Sequence, residues 1–529
     1  MTQDHGNDGP RRRSELWSLR EDIQIELESD GDVLRVQSGW GTVRIQRPPE
    51  TVREALYRMS LGPVSLENVI DMRNGPDRIQ LDQVLSQLQP LIIRSLGLET
   101  GQPLLSVVPM TPRSRFSAVP LPPDAQVRLS IYAELRTNGK EYCLESPLSL
   151  HRVLLHRPEA VSLIGLLGRP MTTVACAATL PQLAAAADML AYLAATGMVV
   201  RADGARPSGG SDVPVFSEDS DPALVGWSGV DLMFHTRRTL GRHDDAFGAI
   251  YRMGPPGSRE PVTKPRLAAP SISLHRPRWD DLATADPALV VAMEGRRSMR
   301  AYGPEPVTAT ELGDLLYRTA RVRSLINLPP DPESPPAPEG AGASRPAEPT
   351  LSDRPYPGGG ACYELELYVT VGECRGISPA IYHYDPLGHR LELVNSERAM
   401  VDELLASASQ AAVVDVPPPV LITMTARFRR LTWKYESMAY AVALMDVGVL
   451  IQSLYLVCTA MHLAPCALGS VHADATARAF GTDWRTEPSV GQFMLGRYPD
   501  THGGYAGTWD PVNDASWAEL ARRRLRDPH

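Results

Sequence analysis

The sequence predicts an α+β protein in which two small α+β, winged-helix-like modules precede a larger last domain. Three observations support this prediction. Short alternating segments typical of strands recur along the chain, helical patterns lie between them, and Gly/Pro/Ser-rich stretches separate the parts. The 529 residues suffice for roughly two to four domains.

The first module is predicted over residues 15–100, after a polar tail at 1–14 that we expect to be disordered. Residues 17–47 alternate in polarity around an Asp-Gly turn and a Gly-Trp-Gly turn, which predicts short strands. Helical patterns follow, at 49–62, 65–72 and 80–98.

A second α+β module is predicted over residues 101–200, with strands at 105–112 and 126–137. Helices are predicted at 146–155, 158–168 and 179–200, the last with Gly197 near its end. The alanine-rich face of the last helix suits core packing better than a partner-binding stripe.

The remaining chain divides into a linker and the last domain. Residues 201–285 are rich in Gly, Pro and Ser, with one helical island at 220–241. Residues 286–529 form the last domain, in which the low-complexity stretch 328–353 predicts a mobile excursion.

Composition narrows the function classes. The formal net charge of −9 argues against broad nucleic-acid binding, although local arginines still suit a small anion or an acidic peptide. The six cysteines form no CxxC pair, and Cys458 and Cys466 read as small core residues. The N-terminus lacks a secretory pattern, and no uninterrupted apolar stretch reaches membrane-spanning length. We therefore expect a cytoplasmic protein.

Three patches in the last domain indicate a site. Arg296, Ser298 and Arg300 alternate, so an extended backbone places two guanidiniums and a hydroxyl on one side, which suits a phosphate. Gly358–Gly360 permits close approach of a ligand to the backbone, before a strand, "LELYVTV". A long apolar helix and a final strand, "SVGQFMLGRYP", follow; a solvated basic strand, a plain turn and a core helix are the alternative interpretations.

Taken in order, these patches resemble the flavin-dependent nitroreductase superfamily. More narrowly, the chain is similar to the azoline dehydrogenases of SagB/McbC/ThcOx type from ribosomal peptide pathways. The closer match is carried by "AIYHYDPLGHRLELV", "WKYESMAY", "LIQSLYLVCTAMHLAPCALGS", "PSVGQFMLG" and, ahead of that domain, "DLMFHTRRTLGR". The resemblance implies an antiparallel-rich sheet flanked by helices and FMN held at a homodimer interface.

The resemblance also assigns residues to FMN. Arg296, Ser298 and Arg300 match the phosphate and ribityl contacts, Arg297 lies beside them, and Arg497 matches a late phosphate-side position.

The flavin ring is matched by two backbone segments. Gly358, Gly359 and Gly360 match the loop that lines the isoalloxazine, and Leu468, Gly469 and Ser470 match the turn that approaches flavin N5. The family usually has Ser where Gly358 stands, so one side-chain contact is in question.

Lys434 is one of three lysines among 53 lysines and arginines, in the stretch "RFRRLTWKYESMAY". A guanidinium stays charged, so a site that needs an amine able to lose its proton cannot accept arginine. Lys434 and Tyr435 match the Lys-Tyr pair that these dehydrogenases use in catalysis. Arg427, Arg429 and Arg430 are candidate cations beside that amine. A surface charge for Lys434 and core packing for Tyr435 are the alternatives.

The resemblance implies FMN-dependent oxidation of peptide thiazolines or oxazolines to azoles. The expected partners are an azoline-bearing precursor peptide, the cyclodehydratase complex and a second copy of the chain. Two other functions are possible on the sequence: an NAD(P)H-dependent nitro- or quinone reductase, and an inactive peptide-binding scaffold, for which the Gly358 departure leaves room.

Overall fold

The computed structural model describes residues 13–28, 32–68, 76–98, 102–181, 183, 185–202, 214–253, 260–327, 351–499 and 516–526. The chain packs as two compact units, residues 1–245 and 246–529. The second unit therefore begins earlier than the predicted domain start at 286, and the predicted linker at 201–285 is divided between the units.

The first unit alternates short strands and helices. Its strands are β1 (Arg13–Leu19), β2 (Gln24–Leu27), β3 (Val33–Ser38), β4 (Gly41–Gln46), β5 (Ile92–Leu98), β6 (Pro103–Pro109), β7 (Gln126–Leu129), β8 (Glu134–Thr137), β9 (Tyr142–Glu145), β10 (His151–Leu155), β11 (Met171–Thr172) and β12 (Val199–Arg201). Its helices are α1 (Glu50–Leu61), α2 (Pro76–Gln87), α3 (Pro158–Leu166), α4 (Thr173–Thr179), α5 (Ala186–Ala195), α6 (Ser217–Ser220) and α7 (Gly229–Arg237), with 3₁₀ turns at Leu66–Asn68 and Gln89–Leu91.

One sheet joins the two predicted modules. Among the described residues, six strands pair in the order β1-β5-β6-β10-β9-β8, all antiparallel. β1 and β5 belong to the predicted first module and the other four strands to the second. The hydrogen bonds between β5 and β6 therefore cross the predicted module boundary.

Several predicted elements of this unit are confirmed and others are wrong. The β2-β3-β4 meander and helix α1 lie where the sequence places them, although the Asp-Gly turn is outside the described residues. Residues 151–155, predicted as helix, form β10, whose alternating burial at His151, Val153 and Leu155 has the period of a strand. Residues 92–98, which were also predicted as helix, form the strand β5. Of the predicted disordered tail, residues 1–12 lie outside the described part, and β1 begins at Arg13.

The second unit is built around a larger sheet. Its strands are β13 (Gly248–Ala249), β14 (Ser271–Ser273), β15 (Ser324–Ile326), β16 (Leu351–Asp353), β17 (Leu365–Val371), β18 (Ala380–Asp385), β19 (Arg390–Asn395), β20 (Val420–Ala426), β21 (Tyr435–Glu436), β22 (Leu463–Leu468) and β23 (Ser489–Arg497). Its helices are α8 (Trp279–Ala285), α9 (Leu289–Gly295), α10 (Ala309–Ala320), α11 (Arg398–Ala412), α12 (Phe428–Thr432), α13 (Ala439–Ala460), α14 (Ala473–Phe480) and α15 (Ser516–Arg526).

In the described part of this unit, seven antiparallel strands pair in the order β14-β19-β18-β17-β20-β23-β22. The predicted antiparallel-rich sheet flanked by helices is confirmed. β17 and β20 are buried at every position because helices cover both faces. Leu367 faces the cluster that contains α13, and its neighbour Tyr368 faces the cluster formed by α11 and α14.

Helix α13 is the central element of this core. Within the described ranges it is the one helix long and apolar enough to cross a membrane, with a mean hydropathy of 1.9, and half of that window is buried in the domain. Leu450 and Leu454 are fully buried against the sheet. Packing of one face thus accounts for part of its apolar sequence.

Residues 328–350 of the low-complexity stretch predicted at 328–353 lie outside the described part of the chain. Its last residues form β16, which pairs with β15, and Arg323 forms an ion pair with Asp353 at 2.7 Å. β15 precedes the stretch and β16 contains its last residues, so the chain on the two sides of residues 328–350 lies side by side in a two-stranded sheet.

We predict that Leu450→Ala lowers the free energy of unfolding by about 2–5 kcal/mol, since it leaves a cavity beneath the sheet. Leu387→Ala, at a position 51% exposed, is the matched control and should cost less than about 1 kcal/mol. Urea denaturation of both variants measures the difference, and equal losses would contradict this account of the core.

Candidate active site

The Lys434–Tyr435 pair lies between α12 and α13, where a short strand fixes its backbone. Tyr435 in β21 pairs with Ala249 in β13, and Tyr251 N donates to Lys434 O at 3.3 Å. The Tyr251 ring packs edge-on against Trp433, with centroids 5.0 Å apart. Residues of the predicted linker thus hold the pair in place.

The pair meets the glycine loop directly. Lys434 Nζ donates to Gly360 O at 3.3 Å, and the amine lies 5.3 Å from the centroid of the Tyr435 ring. Gly360 has φ of 58°, and a Cβ there would overlap both Tyr435 Oη and Lys434 Nζ. A glycine is therefore required if the loop is to approach the pair this closely. Three residues predicted separately from the sequence form one contact.

Two of the three arginines before Lys434, Arg427 and Arg430, bind other parts of the domain, and their effect on the Lys434 amine stays a prediction. Arg430 donates from Nε to Cys362 O at 2.8 Å and from Nη1 to Pro261 O at 2.8 Å. Arg427 is buried and pairs with Glu260 at 3.2 Å and with Glu366 at 3.4 Å. Their hydrogen bonds tie the segment around residue 260 to the end of the glycine loop.

An acidic pair, absent from the sequence prediction, lies behind the loop. Asp446 on α13 accepts hydrogen bonds from Gly359 N, at 3.1 Å to Oδ1 and 2.9 Å to Oδ2. Glu364 is fully buried beside it. Burial and the Asp446 carboxyl raise the pKa of Glu364 to about 8, and burial raises the pKa of Asp446. The sequence feature that could have revealed this pair is Asp446 itself, the one acidic residue in the 22-residue apolar helix α13.

The predicted phosphate residues lie along the edge of the same domain. Met299 N donates to Pro465 O at 2.6 Å, so the segment after α9 runs beside β22. Ser298 Oγ and Tyr455 Oη are 2.7 Å apart, and the Arg296 guanidinium lies 5.1 Å from the Tyr455 ring centroid. Arg300 is exposed. Arg296 and Ser298 thus both lie against Tyr455 of α13.

Arg297 points elsewhere. It lines a cavity of about 460 Å³ together with Arg522 and Arg526 of α15, and neither Arg296 nor Ser298 contributes to that lining. In an extended segment neighbouring side chains face opposite sides, which explains the separation.

The remaining predicted contacts differ in their surroundings. Arg497 forms ion pairs with Glu311 and, at 3.8 Å, with Glu305, so its charge is already matched within the domain. Leu468 ends β22 opposite Gln492. Gly469 and Ser470 follow it in exposed positions, and a Cβ at Gly469 would meet nothing within 4 Å. The turn therefore has open space in front of it.

The two groups of residues are separated along one helix. Asp446, under the glycine loop, and Tyr455, under Arg296 and Ser298, are nine residues apart on α13, or about 13 Å along its axis. The arrangement offers the Lys434 amine at one end and the Arg296 guanidinium at the other, which suits an elongated anionic ligand.

We predict that Gly360→Ala destabilises the loop and strongly reduces activity, because the side chain is strained at positive φ and collides with Tyr435 and Lys434. Thermal unfolding should shift by several degrees. Gly165→Ala in α3, where a Cβ meets nothing within 4 Å, is the control and should not lower the melting temperature. Equal melting curves for both variants would refute the close approach.

Two protein-family models match the chain. The model described as Cyanobactin oxidase ThcOx matches residues 127–244, in the first unit. The model described as Nitroreductase family matches residues 293–497, in the second unit.

Similar proteins cover the second unit. A Methanocaldococcus jannaschii protein named as a nitroreductase is 25% identical over 177 residues, 34% of this chain and 76% of that protein. A nitroreductase-type structure from Ralstonia eutropha has 20% identity and a TM-score of 0.33, covering 46% of this chain and 99% of its own. The E. coli microcin synthetase McbBCD complex with truncated pro-MccB17 bound has 21% identity and a TM-score of 0.29, and the match covers 45% of this chain and 79% of the other chain.

Both models agree with the resemblance inferred from the motifs. The second unit thus contains a nitroreductase-family domain at residues 293–497, and the first unit contains a segment that matches the ThcOx cyanobactin oxidase model at residues 127–244.

Proposed function

We propose that this chain is an FMN-dependent dehydrogenase that oxidises thiazoline or oxazoline rings in a ribosomally made precursor peptide to thiazoles or oxazoles. The observation that carries the proposal is the contact of Lys434 Nζ with Gly360 O inside a nitroreductase-family domain. The ThcOx match at residues 127–244 supports a peptide substrate over a small quinone or nitro compound.

The donor set fits FMN. Arg296 and Arg300 supply guanidiniums suited to a phosphate, and the Ser298 hydroxyl lies between them in sequence. The open space in front of Gly469 leaves room for a planar ring. Arg497 fits less well because two carboxylates already match its charge. When bound, FMN supplies the acceptor for a hydride.

Lys434 supplies the other half of the oxidation. An azoline ring that becomes an azole loses a hydride and a proton, and the proton needs a base. A lysine amine that has released its own proton can accept it, whereas an arginine at position 434 would stay charged. Gly360 O holds that amine in a fixed direction, and Tyr435 beside it orients the ring or relays the proton.

The first unit and a second copy of the chain complete the proposed assembly. We assign precursor-peptide binding or cyclodehydratase docking to the first unit, on the strength of the ThcOx match. Tyr440, Leu444 and Met445 on α13 are between 38% and 52% exposed, an apolar face that a homodimer would cover.

The decisive experiment incubates the protein with FMN and an azoline-bearing peptide and follows loss of two hydrogens per ring by mass spectrometry. Lys434→Ala and Lys434→Arg should lower the rate by about 10²-fold or more, since each removes the base. Lys140→Ala, at an exposed lysine of the first unit, is the control and should leave the rate unchanged.

Undiminished turnover in Lys434→Ala would refute the base while leaving the flavin proposal intact. Rapid bleaching of the bound flavin by NADPH, without peptide oxidation, would favour a nitro- or quinone reductase. Protein that stays colourless with added FMN would favour a scaffold.

FMN binding is tested separately. Arg296→Ala or Arg300→Ala should each weaken binding by about 10- to 100-fold, which corresponds to the loss of a charge-assisted hydrogen bond of about 1.5–3 kcal/mol. Arg398→Ala removes an exposed guanidinium from α11 and is the matched control. Quenching of FMN fluorescence on titration gives the affinities. Unaltered affinity in both site variants would remove the phosphate assignment.

A further inference from the structure

A cluster of buried ionisable side chains lies behind the glycine loop, and the proposed chemistry uses none of them. Glu364 is fully buried, and Arg354, Tyr356 and Asp446 are nearly so. Buried charged groups are costly unless they are paired or neutralised, so a cluster of this kind needs a reason.

Asp446 connects this cluster to the proposed base. Its carboxylate accepts from Gly359 N, and the next residue of the loop accepts from Lys434 Nζ through Gly360 O. Asp446 itself is fixed by α13, whose buried face packs in the core of the domain. Two hydrogen bonds on successive residues thus link the core helix to the amine.

Glu364 is held beside Asp446 by its backbone. Its carbonyl accepts from Arg427 N at 2.9 Å, and it immediately precedes the buried strand β17. Its side chain interacts with the Asp446 carboxyl, and neither of its oxygens has another hydrogen-bond partner among the described residues. Two adjacent buried carboxyls cannot both ionise at low cost, so a single proton between them relieves the repulsion.

We propose that Glu364 and Asp446 share one proton, and that this pair positions the Gly358–Gly360 loop and, through it, Lys434. The inference rests on the proposed function of Lys434. Glu364 and Asp446 act through the loop and are positioning residues. Protonated Glu364 leaves the Asp446 carboxylate free to accept from Gly359 N.

Among the described ionisable groups around the loop, the Glu364–Asp446 pair is the one that changes charge as pH rises. Arg354, from the segment before the loop, is the cation that acts on Glu364 and opposes the rise of its pKa. Burial raises the pKa values of Tyr356 and Cys362, which keeps both neutral at ordinary pH, although the charge of Lys434 lowers that of Cys362.

One further carboxyl faces the cluster from β17. Burial raises the pKa of Glu366, but its hydrogen bond to His383 at 2.9 Å and the charges of His383 and Arg427 outweigh burial and lower that pKa to about 2. Glu366 therefore stays ionised throughout the pH range in which the pair titrates.

The shared proton has a consequence for stability that needs no turnover. A folded state that retains a proton which the unfolded chain releases loses stability as pH rises, from the ordinary carboxyl pKa near 4.5 through the raised pKa of Glu364. Thermal unfolding of the full chain between pH 5 and 9 should therefore show a melting temperature that falls with pH. Glu364→Gln should flatten that fall, and Glu373→Gln, at an exposed position, should retain it.

Activity tests the positioning role. Asp446→Ala should lower kcat on the azoline peptide by about 10-fold or more with a smaller change in KM. Asp446→Asn should restore part of kcat, because its amide oxygen still accepts from Gly359 N. Ionisation of Glu364 near pH 8 should lower the kcat of the wild-type chain, and Glu364→Gln should lack that decline because glutamine does not ionise.

Identical pH dependence of the melting temperature in the wild-type chain and Glu364→Gln would overturn the shared proton. Wild-type kcat in Asp446→Ala would overturn the positioning role. If no variant oxidises azolines, the proposed function fails, while the melting curves still decide whether the pair shares a proton.

Discussion

The organisation of the candidate site depends on the close approach of the glycine loop to the Lys434–Tyr435 pair. Gly360 has no side chain, and its φ of 58° turns its carbonyl toward the lysine amine. Any larger residue would displace both catalytic candidates. The chemistry proposed for the amine therefore rests on a backbone position, which is less mobile than a side-chain contact.

Buried arginines provide the framework around this contact. Arg427 and Arg430 satisfy carbonyls and carboxylates from segments far apart in sequence, among them residues 260–261 and 362. A guanidinium offers donors in several directions, which suits a point where three segments meet. Lys264 has a comparable structural task, since its amine binds Glu487 at 2.6 Å and Tyr368 Oη at 2.6 Å. Scarcity of lysine alone thus does not identify a base.

Helix α13 combines two properties that conflict in an ordinary core helix. Its buried face contributes Leu450 and Leu454 to the core, yet the same helix presents Asp446 to the glycine loop and Tyr455 to Ser298. An ionisable group in so apolar an element costs free energy unless it is compensated. Compensation here comes from the Gly359 amide and, as we infer, from a proton shared with Glu364.

Ordered motifs in the linear chain were enough to indicate the nitroreductase-family domain, its antiparallel sheet and the two segments that meet at Lys434, because each motif is a local run of residues. The pairing of the strands became clear in the folded chain alone, since β5 and β10 have short apolar runs that also fit a helix. The tertiary structure also separated Arg297 from Arg296, matched Arg497 with carboxylates and placed Glu364 beside Asp446. These outcomes depend on contacts between residues distant in sequence, and no local pattern encodes them.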